Sequence, residues 1–192
     1  LPLDPNFINQ LSFGLQLGMI NKTIDESNLQ WGEQYDPYLG FNASIAATES
    51  ANFQNRTFID INAGLYWSFT PLPQNSKWIK SVNSGLSFNH LNNPDESMLA
   101  NSSSRLPLLY KYHGSIIFNI SENFTISANT LLAFQNTTSQ QNIGTYLSYI
   151  VNTYSDGYFK NSIVRLGGWA RVNDSFIALL EMESSMFKVA FS

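Results

Sequence analysis

The 192 residues predict an antiparallel β-barrel of the outer-membrane type. Three observations carry that prediction. Hydropathy alternates with a period of two, the alternating segments are long for strands, and charged side chains are scarce. Residues with Asp, Glu, Lys or Arg side chains make up 12%, against about 25% in an ordinary soluble domain. Aromatics reach 14% while the mean hydropathy stays slightly negative, because Asn, Ser, Thr and Gln fill the places where charges would stand. An apolar or aromatic outside with a polar, weakly charged inside has this composition.

The strands follow in order. Over residues 11–19, Leu11, Phe13, Leu15, Leu17 and Met19 alternate with Ser12, Gly14, Gln16 and Gly18. Over 59–69, Ile59, Ile61, Ala63, Leu65, Trp67 and Phe69 alternate with Asp60, Asn62, Gly64, Tyr66 and Ser68. Over 123–134, Phe124, Ile126, Ala128, Leu132 and Phe134 oppose Asn123, Thr125, Ser127 and Asn129. Less regular alternation places strands near 77–91, 109–120, 141–151, 158–171, 175–183 and 186–192, roughly nine in all. Soluble strands usually run to about 5 or 6 residues, whereas a tilted membrane strand needs about 9 to 11. Length therefore favours a membrane sheet over a soluble sandwich with a lectin-like surface.

Connections sort by length. Ser121-Glu122 and Tyr154-Ser155-Asp156-Gly157 read as tight turns, and Thr70 to Ser76 as a short link holding two prolines. Residues 25–57, 92–108 and 135–140 read as longer polar loops. Short turns on one side and long loops on the other is the bacterial outer-membrane arrangement, although the links at Asn173-Asp174 and Ser184-Ser185 are short on both sides. No linker splits the chain, so residues 1–192 are expected to form a single barrel domain. Trp67, Phe69, Trp78, Tyr110, Tyr112, Tyr158, Phe159 and Trp169 fall near proposed strand ends, where an interfacial aromatic girdle belongs.

Several classes are excluded. No apolar run approaches the roughly 18 residues of a transmembrane helix, so membrane insertion requires a sheet. Cysteine is absent, which removes disulfide and thiol chemistry. A net charge of -4 offers no footprint for nucleic acid. Asn-x-Ser/Thr triplets are frequent, as chance dictates in a chain rich in all three residue types.

Catalysis is not expected. Strict alternation puts His90 with Leu86 and Phe88 and His113 with Lys111 and Ser115, on opposite faces, so the two imidazoles cannot act together. His90 is then an interfacial or loop-anchoring residue. Nor does a cofactor follow: Asp25, Glu26, Glu33 and Asp36 lack the twelve-residue ligand spacing of a calcium loop, which leaves a weak calcium site in 25–57 as the lesser alternative to a polar surface. Two groups remain. Asp60, Lys111, Arg165, Arg171, Glu181, Glu183 and Lys188 all fall on the inner face. Their mixed signs suit an interior ion-pair network better than a selective pore. Trp31, Glu33, Gln34, Tyr35 and Asp36, with Tyr38, make an aromatic-rich polar loop suited to contacting a protein. Asn89, His90, Asn92, Asn93 and Pro94 form a second candidate contact, or a turn set by Asn and Pro.

The order of motifs resembles a known family. Ser12-Phe13-Gly14-Leu15-Gln16-Leu17-Gly18, Thr23-Ile24-Asp25 and Gly32-Glu33-Gln34-Tyr35-Asp36-Pro37 are similar to the PorP/SprF family of type IX secretion membrane proteins. So are Gly85-Leu86-Ser87-Phe88-Asn89-His90-Leu91-Asn92-Asn93-Pro94, Leu106-Pro107, Tyr112-His113-Gly114 and Gln141-Asn142-Ile143-Gly144. The matches cover most of residues 11–150, and the last forty residues match in character more than in letters. The resemblance implies an outer-membrane barrel of Bacteroidota, in contact with lipid, that anchors or docks secreted surface proteins such as adhesins. It also implies contact with periplasmic machine components or a lipoprotein. Family members are longer at both ends, so this chain is expected to be part of a barrel. The alternative from a different class is a stand-alone outer-membrane channel for small solutes.

Overall fold

The computed structural model describes residues 2–4, 8–25, 29–46, 53–72, 74, 76–151 and 162–192. Nine strands form one sheet among these residues, in the order β1 (Asn9–Lys22), β4 (Arg56–Phe69), β5 (Ile79–Asn89), β6 (Leu109–Asn119), β7 (Phe124–Gln135), β8 (Thr138–Val151), β9 (Ser162–Arg171), β10 (Ser175–Glu183) and β11 (Lys188–Phe191). A separate two-stranded hairpin, β2 (Tyr35–Asp36) and β3 (Gly40–Phe41), lies within the first long connection. The residues group into two compact units: Leu1–Leu15, Ala63–Asn89 and Leu109–Ser192 in the first, Gln16–Asn62 and His90–Leu108 in the second.

In the first unit every pairing from β4 to β11 is antiparallel, and each strand lies beside its successor. Directly paired residues share a face. Phe118, Ile126, Leu147, Leu166, Leu180 and Phe191 are successive partners across six strands and make an unbroken apolar row. One residue along, Thr125, Ser148, Arg165 and Glu181 are partners on the other face. The register thus converts two-residue alternation into one apolar and one polar face.

The polar face is concave. Lys80 of β5 and Lys188 of β11 line one cavity of about 330 Å³, together with residues from every strand between them. In a flat sheet six inter-strand spacings would hold those strands about 29 Å apart. The apolar face is uncovered: Leu166 is 61% exposed, Phe176 73% and Phe191 68%. No apolar side chain described in this unit is buried; in the second unit Phe58 is the one large apolar residue buried among those described. Among the described residues β1 and β11 end the strand order, and no pair joins them.

The strand list agrees with the alternation, and the differences have local causes. Residues 135–140 are not a long loop. β7 continues to Gln135, β8 begins at Thr138, and the turn between them has Asn136 at φ 51°. Asn tolerates that left-handed backbone, which two-residue hairpins require. The polar run Thr138 to Gln141 nevertheless pairs with Gln135 to Leu132. Long connections at that end of the strands are therefore 23–55 and 90–108 alone. The turn expected at Tyr154 to Gly157, and Tyr158 and Phe159 of the expected girdle, lie outside the described residues.

Aromatic rings on the polar face pack over glycines of the neighbouring strand. Tyr146 covers Gly167 and Trp169 covers Gly144, and a side chain at either glycine would overlap the ring. Trp169 Nε1 also donates to the Tyr146 hydroxyl at 2.7 Å. Trp169 is therefore no part of an outer girdle: two residues from Arg171, it faces the concave side. Trp67 and Phe69, stacked at 6.2 Å, and Phe124 and Tyr149, at 4.7 Å, do lie on the apolar side near strand ends. Gly144→Ala is expected to displace the Trp169 ring and cost about 1–3 kcal/mol, the range for overpacking. A lowered midpoint in heat-modifiability gels checks this, with Gly14→Ala, where a Cβ meets open space, as the neutral comparison.

Candidate functional site

The charged residues expected on the inner face divide by position. Arg165 bonds Glu181 and, at 2.6 Å, Glu183; Lys188 lies 3.0 Å from Glu181 and 3.9 Å from Glu183. The direct pairing of Arg165 with Glu181 and of Glu183 with Lys188 across β9, β10 and β11 dictates this quartet. Its charge sums to zero, and it closes one flank of the 330 Å³ cavity. Arg171 sits at the opposite strand ends, bonded to Asn142 at 3.3 Å and to Asp174 at 2.8 Å. Lys111, paired with Ser87 and Ala133, has no ion pair among the described residues. Four of the seven residues thus form a network, and the others serve elsewhere.

Asp60 belongs to the second unit, where it is 7% exposed. His90 Nδ1 lies 2.9 Å from Asp60 Oδ1, and the Asn62 amide donates to the other carboxylate oxygen at 3.2 Å. The expectation that His90 shares a face with Leu86 and Phe88 is overturned. His90 follows the last residue of β5 at φ 62°, which breaks the alternation and swings the ring toward Asp60. Its backbone N–H donates to Asn62 Oδ1 at 3.0 Å.

The next residues continue the clasp. Asn92 donates to the Ile59 carbonyl at 2.7 Å and accepts from the Ile61 N–H at 3.1 Å, so its side-chain amide replaces a missing strand partner. Leu91 N–H donates to the Ile61 carbonyl. Asn93, at φ 43°, donates from its side chain to the Leu106 carbonyl at 3.1 Å, and Leu106 N–H donates to the Pro94 carbonyl. Pro94 is buried. Asn89 accepts weakly from Ser87 at 3.5 Å within the first unit. The side chains of this motif are engaged in holding residues 90–108 to β4.

Asp95 is the hub that sequence reasoning missed. Its Oδ1 accepts from the Ser97 and Ser104 amides at 3.1 and 2.9 Å, and its Oδ2 bonds Arg56 at 3.1 Å. Glu96 pairs with Lys22. The amides of Ser104 and Ser97, ahead of the Arg56 guanidinium, hold the Asp95 carboxyl below its ordinary value of 3.8. Only the Asp-x-Ser spacing of Asp95 and Ser97 was legible beforehand.

In the first long connection, Gln34 accepts from the Trp31 N–H at 3.2 Å and donates to the Ile45 carbonyl at 2.8 Å. Asp36 accepts from the Tyr38 and Leu39 amides at 2.7 and 2.9 Å, and Gly40 at φ 80° closes the β2–β3 turn. Trp31 stacks on Phe53 at 6.0 Å. Glu33 lies in the single helical turn Gly32–Gln34. These residues frame the loop, and Tyr38 (96% exposed) and Leu39 (86%) stand at its tip. Glu26 and Asn28 lie outside the described residues, and no three carboxylate or imidazole groups among the described ones could hold a metal.

Two outcomes are expected. Asn92→Ala removes both bonds to β4 and raises protease cutting within 90–108 about tenfold, at roughly 1–1.5 kcal/mol. Because the folded Asp95 carboxyl titrates below its ordinary value, its contribution is full above 3.8 and is lost as pH falls through the lower folded value. Acid should therefore loosen the 90–108 segment, and Asp95→Asn should abolish that pH dependence in a pH series of limited proteolysis.

No helix among the described residues is long and apolar enough to cross a membrane, which leaves strand crossing open. No curated protein and no solved structure matches the chain significantly. A family described as type IX secretion system membrane protein PorP/SprF matches residues 2–192, in accord with an all-β antiparallel fold. That family comprises membrane components of a secretion system rather than enzymes. The match runs through every strand and both long connections, and the chain belongs to the PorP/SprF family of type IX secretion system membrane proteins.

Proposed function

We propose that this chain forms one outer-membrane β-barrel domain of the type IX machine, docking a secreted surface protein through its long connections. The observation that carries the reading is the uncovered apolar face of a sheet curled around polar side chains. In water such a face would aggregate, whereas lipid solvates it without cost. The quartet of Arg165, Glu181, Glu183 and Lys188 then faces the barrel interior as an ion-pair network that stiffens the wall, with Lys111 and Arg171 on the same face but outside the network. Asp60 anchors a loop instead.

The long connections 23–55 and 90–108 leave the same strand ends, and in outer-membrane barrels that side faces the exterior. His90, Asn92, Asn93 and Pro94 hold their own loop in place. Docking of an adhesin-like cargo is therefore assigned to the exposed tip at Tyr35, Tyr38 and Leu39, framed by Trp31, Gln34 and Asp36. The opposite, short-turn side meets periplasmic machine components.

The test is a mild-detergent pull-down of the tagged full-length protein from native outer membranes, with mass spectrometry. It should recover a secreted adhesin together with a periplasmic component. Tyr38→Ala with Leu39→Asp should lower adhesin recovery about thirtyfold, the loss of a docking hot spot, while the periplasmic component stays. A barrel that emerges alone from intact membranes contradicts the secretion role and favours a stand-alone channel.

A further inference from the structure

A groove of about 860 Å³ opens at the short-turn ends of β4, β5, β6 and β7. Its walls are of two kinds. Ile79 is paired with Phe118, itself the partner of Ile126, so the groove floor continues the apolar face of the sheet. Trp78, 74% exposed, and Ile120, 57% exposed, extend that floor past the strand ends. Lys77, Lys80 and a single carboxylate, Glu122, complete its lining, and Lys80, at the strand end, also lines the concave cavity. Neither lysine side chain has a hydrogen bond or ion pair among the described residues.

Hydrogen bonds hold the backbone of residues 76–79 against the end of β6. The Asn119 N–H donates to the Trp78 carbonyl at 2.8 Å, the Asn119 side chain donates to the Lys77 carbonyl at 3.4 Å, and Ile79 N–H donates to Ser76 Oγ at 3.0 Å. Lys80 falls where the β5–β6 register shifts between Ile79 and Ser81, a bulge that takes it out of the ladder. Bulges re-aim side chains in this way at sheet ends.

We propose that this groove binds an anionic phospholipid of the inner leaflet, its phosphate held by Lys77 and Lys80 and its acyl chain laid on Trp78, Ile79 and Ile120. The inference rests on the membrane reading above. Two unpaired cations beside one carboxylate complement a headgroup of net negative charge, and an indole with one apolar and one polar edge is suited to headgroup depth. Continuity with the apolar face selects a lipid over a soluble phosphate: the groove leads onto the surface that acyl chains would cover.

The test uses full-length protein purified in detergent and native mass spectrometry with added phosphatidylglycerol or phosphatidylcholine. Phosphatidylglycerol should be retained preferentially, and Lys77→Gln with Lys80→Gln should lower its retention about fivefold per lysine. Trp78→Ala should weaken both lipids, and Glu122→Gln should strengthen phosphatidylglycerol. Inorganic phosphate should displace neither. Equal retention of the two lipids, an unchanged double-lysine variant, or displacement by phosphate overturns the proposal while leaving the membrane reading intact. A wild-type protein that fails to enter detergent micelles overturns both.

Discussion

Everything in this chain depends on one constraint: a sheet whose apolar side has nothing of its own to cover it. An ordinary domain folds its strands so that apolar rows meet across a core, and each large apolar side chain so buried contributes roughly 1.5–3 kcal/mol. Here the row from Phe118 to Phe191 runs the width of six strands and, among the described residues of the first unit, meets no second layer and is joined by no buried apolar side chain. The burial that stabilises the sheet must come from its surroundings. Membership in a family of secretion-system membrane proteins supplies a surrounding of the right kind.

With the apolar side uncovered, cohesion within the chain falls to the ladder and to the concave side. There the packing is polar and aromatic. Tyr146 and Trp169 lie reciprocally over Gly167 and Gly144 and share a hydrogen bond, and His113 covers Gly85 and stacks on Tyr66 at 5.7 Å. Glycine in a strand removes a side chain that could pack, and a ring from the next strand restores that contact. The neutral quartet closes the neighbouring flank. The four charges of that quartet offset one another.

Much of this was legible in the sequence, because a period of two is both the alternation of hydropathy and the alternation of faces. Ile59 to Phe69 and Phe124 to Phe134 revealed their strands and their sidedness directly. The alternation failed where the backbone left the strand or the side chains ceased to differ. His90 reversed its face through a left-handed φ, and Thr138 to Gln140 read as loop because residues on both faces are polar. Trp169 was assigned to the girdle by its residue type, although its two-residue spacing from Arg171 already put it on the inner face. The Asp95 hub also joins Ser104 and the distant Arg56, and beyond its Asp-x-Ser contact with Ser97 spacing along the chain carries no trace of it. The β2–β3 hairpin, with Asp36 and Gly40 at its turn, was short enough to pass as loop.

The most direct test of the account is the sidedness of two adjacent residues. Residues 1–192 contain no cysteine, so Leu147→Cys and Ser148→Cys each give one labelling site in this sheet, on β8, in a background with any cysteine elsewhere replaced by serine. Leu147 pairs with Leu166 on the apolar face and Ser148 with Arg165 on the concave face. After reconstitution of the full-length protein, a fluorophore at position 147 should be quenched strongly by brominated lipid chains. The same fluorophore at 148 should be quenched weakly by lipid and be reached by a small aqueous quencher. Equal lipid quenching at both positions, or the reverse order, would contradict a lipid-facing apolar surface and with it the membrane reading of the fold.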